Sequence, residues 1–287
     1  MTHVDTATVP LYQVDAFTPQ LFGGNPAAVC LLHKSLETAT MQQIGAEMNL
    51  SETAFVEPVR TEVNLCGHAT MASAAVLFEA EGNQQEVLHF ETLSGRLSVR
   101  RDQAQKGLHL QMDFPACPAT AALPPVVTKV KDKLKGCFMG VQTQDVLMSL
   151  DLKYVLVVLA SDTTQQQLMD MQCDTRQLES LADKQNVFAV CVTCSGDGKP
   201  YHFFSRFFAP WAGIDEDPVT GSAHAMLGPY WAQHIDKFEK TLHARQCSER
   251  VGELQVSVDS EKARVTVAGQ AVIVSKGEMY VPVNVRS

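Results

Sequence analysis

The chain has 287 residues, 45% hydrophobic and 19% charged, which is the composition of a folded protein with room for two ordinary domains. Its formal net charge is −9 with no Lys/Arg cluster, which argues against a nucleic-acid or anionic-membrane surface but leaves a local anion pocket open. MTHVDTATVPLYQVDAF lacks a basic segment ahead of an apolar core, and ATMASAAVLFEAEG is too short to span a bilayer, so a cytoplasmic protein is expected.

Along the chain, PLYQVDAF reads as a strand, GGNP as a turn and AAVCLL as a second strand. Leu36, Met41, Ile44 and Met48 recur at near-helical spacing, predicting a helix over 38–48. SETAFVEPV reads as a strand, and a compact helix follows from His68 to about Glu81. EVLHFETLSGRLSVRRD reads as a hairpin with a Ser-Gly turn, and GLHLQMDFP as a further strand. PACPATAALPP holds four prolines and no charge, so domains are expected at 1–117 and 125–287, with the last strand able to cross back.

Beyond it, VVTKVKDKLKG reads as helix and DVLMSL and YVLVVLA as strands. TQQQLMDMQ and CDTRQLESLADK read as helices, and NVFAVCVTC and YHFFSRFFAPW as strands. After a helix at Ser222 come four strands: GELQVSVD, ARVTVAG, AVIVSKG and EMYVPVNV. The eight cysteines are scattered and read as reduced thiols. Cys191 and Cys194 form a C-x-x-C inside a strand-like alternation, with no second pair, so neither a disulfide nor a metal is expected there.

CGHATMASAAVLF and VTGSAHAMLGPYW resemble each other. Each opens on glycine beside a small polar or His residue and then turns apolar on all sides. A helix apolar all round must be buried, and a sheet wrapped around it would bury it. Two such halves would form a cleft, with both helix starts offering free N–H groups to a carboxylate. Each feature also has a plainer reading. Gly67 and His68 could serve only as a tight helix entry, Glu52 as a solvated strand-edge residue, and Asp217 as an N-cap worth about 1 kcal/mol. Asp215 and Glu216 are expected to be solvated.

FGGNPAAVCLL, EMNLSETAFVE, CGHATMASAAVLF, TLSGRLSVRR and SRFFAPWAGIDEDPVTGSAHA together resemble the PhzF family, in its animal branch of phenazine biosynthesis-like domain-containing proteins. The resemblance runs from about Leu11 to the end of the chain. It implies an α+β, diaminopimelate epimerase-like fold of two similar domains, each a barrel-like sheet around a central helix. In the family's phenazine enzyme, the glutamate of S-E-[ST]-x-F-V moves a proton between two carbons of dihydro-3-hydroxyanthranilate. Glu52 holds that position here. The G-H pair matches Gly67 and His68, and D-P-x-T-G-S matches Asp217, Pro218, Thr220, Gly221 and Ser222. His68 and Asp217 would assist Glu52, while Gly67, Ala69, Gly221, Ser222 and Asn25 would bind substrate.

Three departures stand out. Epimerase relatives place a cysteine at each helix start, whereas here only the first start has one, Cys66. Pro229 lies well inside the second helix, where a kink or early stop is expected. The family also carries an extra strand between the positions of Arg60 and Thr61, without which the first barrel would open and expose its helix. A stretch of chain missing from the sequence at that junction is therefore expected.

The resulting expectation is a PhzF-like isomerase, without cofactor or metal, acting on a small carboxylate. A homodimer or a protein partner is compatible with it; nucleic acid and membrane are not. The rivals are an amino-acid epimerase using Cys66 and a non-catalytic binding protein on the same fold.

Overall fold

The computed structural model describes residues 6–57, 67–92, 95–122, 127–128, 130–133, 142–179, 187–235 and 241–282. The chain divides into two compact units: residues 1–112 with 270–287, and residues 113–269.

In the first unit, β1 (Thr6–Ala16) pairs antiparallel with β2 (Asn25–Leu31). The turn between them needs glycine at position 24. Gly24 has φ +57°, and a Cβ there would sit 2.1 Å from the Ala16 carbonyl oxygen. Helix α1 (Thr38–Met48) follows, laying Ile44 into an apolar cluster with Val9, Cys30 and Leu32. Its chain then enters β3 (Glu52–Val56), which pairs parallel with β2. Helix α2 (Gly67–Ala75), with a π-helical turn at Val76–Ala80, is buried at all nine of its residues. It packs on β1, β2 and β3. β4 (Val87–Thr92), β5 (Gly95–Asp102) and β6 (His109–Pro115) form an antiparallel meander.

The second unit contains β7 (Thr120–Ala121), β8 (Thr143–Ser149) and β9 (Tyr154–Leu159). Two short helices follow, α3 (Gln165–Asp170) and α4 (Thr175–Glu179). Then come β10 (Ala189–Ser195), β11 (Phe203–Phe208) and the long helix α5 (Gly221–His234). β12 (Leu242–Gln246), β13 (Gly252–Asp259) and β14 (Arg264–Pro282) end the fold. The strand order is β14-β13-β12-β11-β10-β9-β8-β7. The β9–β10 and β11–β12 pairs are parallel; the others in this series are antiparallel. β14 passes from the second unit into the first, pairing β13 through its early residues and β1 through its later ones.

Several expectations change. The three terminal strands are one 19-residue strand, β14, because Gly269 and Gly277 lie within it instead of turning the chain. LHARQ, β12, carried no strand expectation. Helix α5 runs through Pro229 to His234, without the early stop. The reason lies in its hydrogen bonds. Proline has no N–H to offer the carbonyl four residues back, and that carbonyl, on Ala225, accepts the Cys117 N–H at 3.0 Å instead. Helix α2 is buried at every residue, as a helix apolar on all sides requires. The expected missing stretch falls between Arg60 and Thr61. Both residues, like Cys66, Cys137 and the predicted turn at Ser94, lie outside the described residues. The cysteines at 30, 117, 173, 191, 194 and 247 are free thiols, with Cys191 and Cys194 buried in β10. No helix among the described residues is long and apolar enough to cross a membrane.

Candidate active site

The first unit gathers its expected residues at one end of a parallel strand pair. β2 and β3 run in the same direction, with Ala27 opposite Glu52, so Asn25 and Glu52 both lie near the strand starts. Asn25 is fully buried, and Glu52 is half-buried. The start of α2 reaches the same end, since His68 Nε2 lies 3.4 Å from the hydroxyl of Ser51, the residue before Glu52. Gly67 and Ala69 flank His68 in the buried first turn. Burial pushes the His68 imidazole down from 6.5 to about 4, because a charged ring would be desolvated there. At neutral pH it is an uncharged group with one N–H to donate and one lone pair to accept. Glu52 lines a groove of about 520 Å³ bounded by α1 and β3, together with Ser51, Thr53 and Phe55.

The second unit builds its half from the loop ahead of α5. Asp217, Thr220 and Ser222 are all buried. Asp217 does not cap the helix. Its carboxylate accepts the Thr220 hydroxyl, and Thr220 stands at the N-cap position with no side-chain cap bond of its own. Gln246 of β12 clasps the loop: its amide nitrogen donates to the Asp217 carbonyl at 2.7 Å, and its oxygen accepts the Thr220 N–H at 2.8 Å. The Ser248 hydroxyl donates to the Pro218 carbonyl at 2.8 Å. The Thr220 carbonyl lies 2.8 Å from His224 Nδ1, a contact that places the proton on that nitrogen. The Thr220 side chain makes no cap bond to the first turn of α5, whose buried N–H groups form the positive end of the helix.

Glu216 corrects the expectation of a solvated acid. Its carboxylate is paired with the Arg206 guanidinium of β11 at 2.7 and 2.8 Å. Arg206 also donates to the carbonyls of Leu168 and Met171. Asp215 is exposed, as expected. Sequence reading missed Arg206 and Gln246 because each lies on a strand remote in sequence from the loop it holds. It also missed Tyr154, whose phenol lies 3.1 Å from the Ser222 hydroxyl. The second cysteine half of an epimerase has no counterpart at the start of α5, and Cys66 lies outside the described residues.

A family model described as phenazine biosynthesis-like protein (PhzC-PhzF) matches residues 14–277. The mouse phenazine biosynthesis-like domain-containing protein 1 is 41% identical over 294 aligned residues, covering 94% of this chain and 99% of that protein. A Pseudomonas aeruginosa protein named as an uncharacterized isomerase is 42% identical over 279 residues, covering 93% of this chain and 97% of its own. Among solved structures, a PhzF-family phenazine biosynthesis protein from Enterococcus faecalis superposes with a TM-score of 0.80 at 35% identity, covering 96% of this chain and 100% of that one.

Proposed function

The chain belongs to the phenazine biosynthesis-like (PhzC-PhzF) family, and from that premise we propose that it is an isomerase that shifts a proton within a small carboxylate substrate. The observation that carries the reading is the uncapped start of α5, where buried amides meet a loop held rigid by Gln246 and Ser248. Such a start binds a carboxylate through N–H groups and helix dipole, as an anion hole does. Relatives named as isomerases support the reaction class.

In this reading Glu52 is the general acid/base. Its carboxylate takes a proton from one carbon of the substrate, and the resulting carbanion delocalises toward the bound carboxylate end. The same carboxylic acid then returns the proton to a second carbon, so the net change is a moved double bond and no redox partner is consumed. His68, uncharged, and Asp217 assist by hydrogen bonding. Gly67, Ala69 and Asn25 shape the first half-site, and Gly221 and Ser222 hold the carboxylate. An amine beside the substrate carboxylate would suit an anion pocket with an acid next to it.

The test is solvent exchange. Small cyclic and amino-acid-like carboxylates are incubated with the protein in D2O, and deuterium is sought at carbon by NMR. We expect incorporation with the wild type and a loss of roughly 10²–10⁴ in rate for Glu52→Gln, with binding largely kept. Ser222→Ala should weaken binding of the same compound. An unchanged exchange rate in Glu52→Gln removes Glu52 from the chemistry.

A further inference from the structure

We propose that Tyr154 is a positioning and specificity-determining residue of the carboxylate site at the start of α5, acting through the Ser222 hydroxyl. This rests on the reading of that helix start given above.

Tyr154 is the first residue of β9, and only 8% of it is exposed. Its ring is fixed on two sides. It meets Phe207 edge-on at 5.0 Å and stacks near Phe188 at 6.2 Å. The phenol oxygen then lies 3.1 Å from Ser222 Oγ, and both residues belong to the second unit. The sequence offers no hint of this contact, since YVLVVLA reads as a core strand from end to end.

The direction of this hydrogen bond decides what Ser222 can do. A phenol is the stronger acid of the two hydroxyls, with an ordinary pKa near 10, so it is the better donor. A helical serine commonly sends its own proton back to the carbonyl four residues earlier. Ser222 stands in the first turn, and for it that carbonyl is Pro218's, which precedes the N-cap Thr220 and so lies outside the helical repeat that makes such a bond; it accepts the Ser248 hydroxyl at 2.8 Å instead. With the phenol donating to Oγ, the serine proton is directed outward, next to the amides of the first turn. The site thereby gains a side-chain donor aligned with its backbone donors, which favours a charged carboxylate over a neutral carboxamide. Phenylalanine at 154 would keep the ring packing and lose that direction.

The experiment uses the full-length, 15N-labelled protein with 2-aminobenzoate as probe and 2-aminobenzamide as its neutral comparator. In the wild type, 2-aminobenzoate should shift the amide signals of Ser222 and Ala223 and bind more tightly than the carboxamide. Tyr154→Phe should lose roughly five- to tenfold in affinity for the acid, the scale of one hydrogen bond, with little change for the carboxamide. The double variant Tyr154→Phe/Ser222→Ala should bind the acid no more weakly than Ser222→Ala alone. An equal loss for both probes would mark a structural role only and overturn the proposal. So would fully additive losses, since the phenol would then not act through Ser222. Unchanged binding of the acid by Tyr154→Phe overturns the proposal while leaving the anion site intact. A wild type whose Ser222 and Ala223 signals do not respond overturns the anion site as well.

Discussion

Three acids in a row, Asp215, Glu216 and Asp217, meet three different fates ahead of α5. Asp215 faces water; Glu216 is neutralised by Arg206; Asp217 takes the Thr220 hydroxyl. The crowding of carboxylates against the positive end of a helix is therefore organised by partners. Arg206 is the residue on which this depends most. It ties β11 to the loop through Glu216 and to the end of α3 through the carbonyls of Leu168 and Met171. Removing it leaves a half-buried carboxylate and two carbonyls without their donor. Arg206→Met should therefore destabilise the protein by about 2–4 kcal/mol, less than a wholly buried pair because the Glu216 side chain is 23% exposed. Glu216→Gln keeps a hydrogen-bonding group and should cost about 1 kcal/mol. Urea unfolding of the two variants measures both. Equal effects would show that the ion pair, and not the carbonyl contacts, holds the loop.

At the scale of elements, α5 carries two residues that ordinary helix propensity disfavours, Gly228 and Pro229. Both are explained by what lies against them. A Cβ on Gly228 would stand 2.7 Å from Val256 Cγ1 and 3.3 Å from Val258 Cγ2, so the helix can approach β13 only with glycine there. In an exposed helix Gly→Ala gains up to about 1 kcal/mol. Here Gly228→Ala should instead lose about 1–3 kcal/mol through overpacking. A thermal midpoint at or above that of the wild type would show that β13 yields easily. The same contrast marks what sequence reveals. Alternation exposed most strands, and near-helical spacing gave α1 its boundaries, because these patterns report burial directly. β12 went unseen because LHARQ mixes charge into a short strand, although Leu242, Ala244 and Gln246 point inward. β14 was cut in three because glycine in a strand reads as a turn until its pairing partners are known. At the site, Glu52, His68, Asp217 and Ser222 came from a family pattern. Gln246 and Tyr154 are set there by cross-strand geometry, which no local spacing encodes.

At the scale of the whole molecule, the aligned stretch shared with the mouse relative is 294 residues, longer than this 287-residue chain. The relative therefore carries residues without a counterpart here, and yet this chain buries α2 completely. Burial on that scale has an electrostatic consequence in both units. His68 near the start of α2 and His224 within α5 are almost wholly buried, and desolvation pushes both imidazoles from 6.5 down to about 4. For His224 the contact with the Thr220 carbonyl works against burial without overcoming it. Between pH 6.5 and 4 the unfolded chain binds protons at these two positions that the folded chain refuses. The stability they confer is thus fully present above about pH 6.5 and is lost as the pH falls toward about 4. Each shift corresponds to something on the order of 3 kcal/mol over that window. Urea midpoints measured from pH 8 to pH 4.5 should fall steadily below pH 6.5. His224→Gln, which retains a donor for the Thr220 carbonyl, should flatten part of that slope, and His68→Gln a further part. A double variant as acid-sensitive as the wild type would assign the slope to carboxylates instead, with the imidazoles able to take up protons without opening the fold.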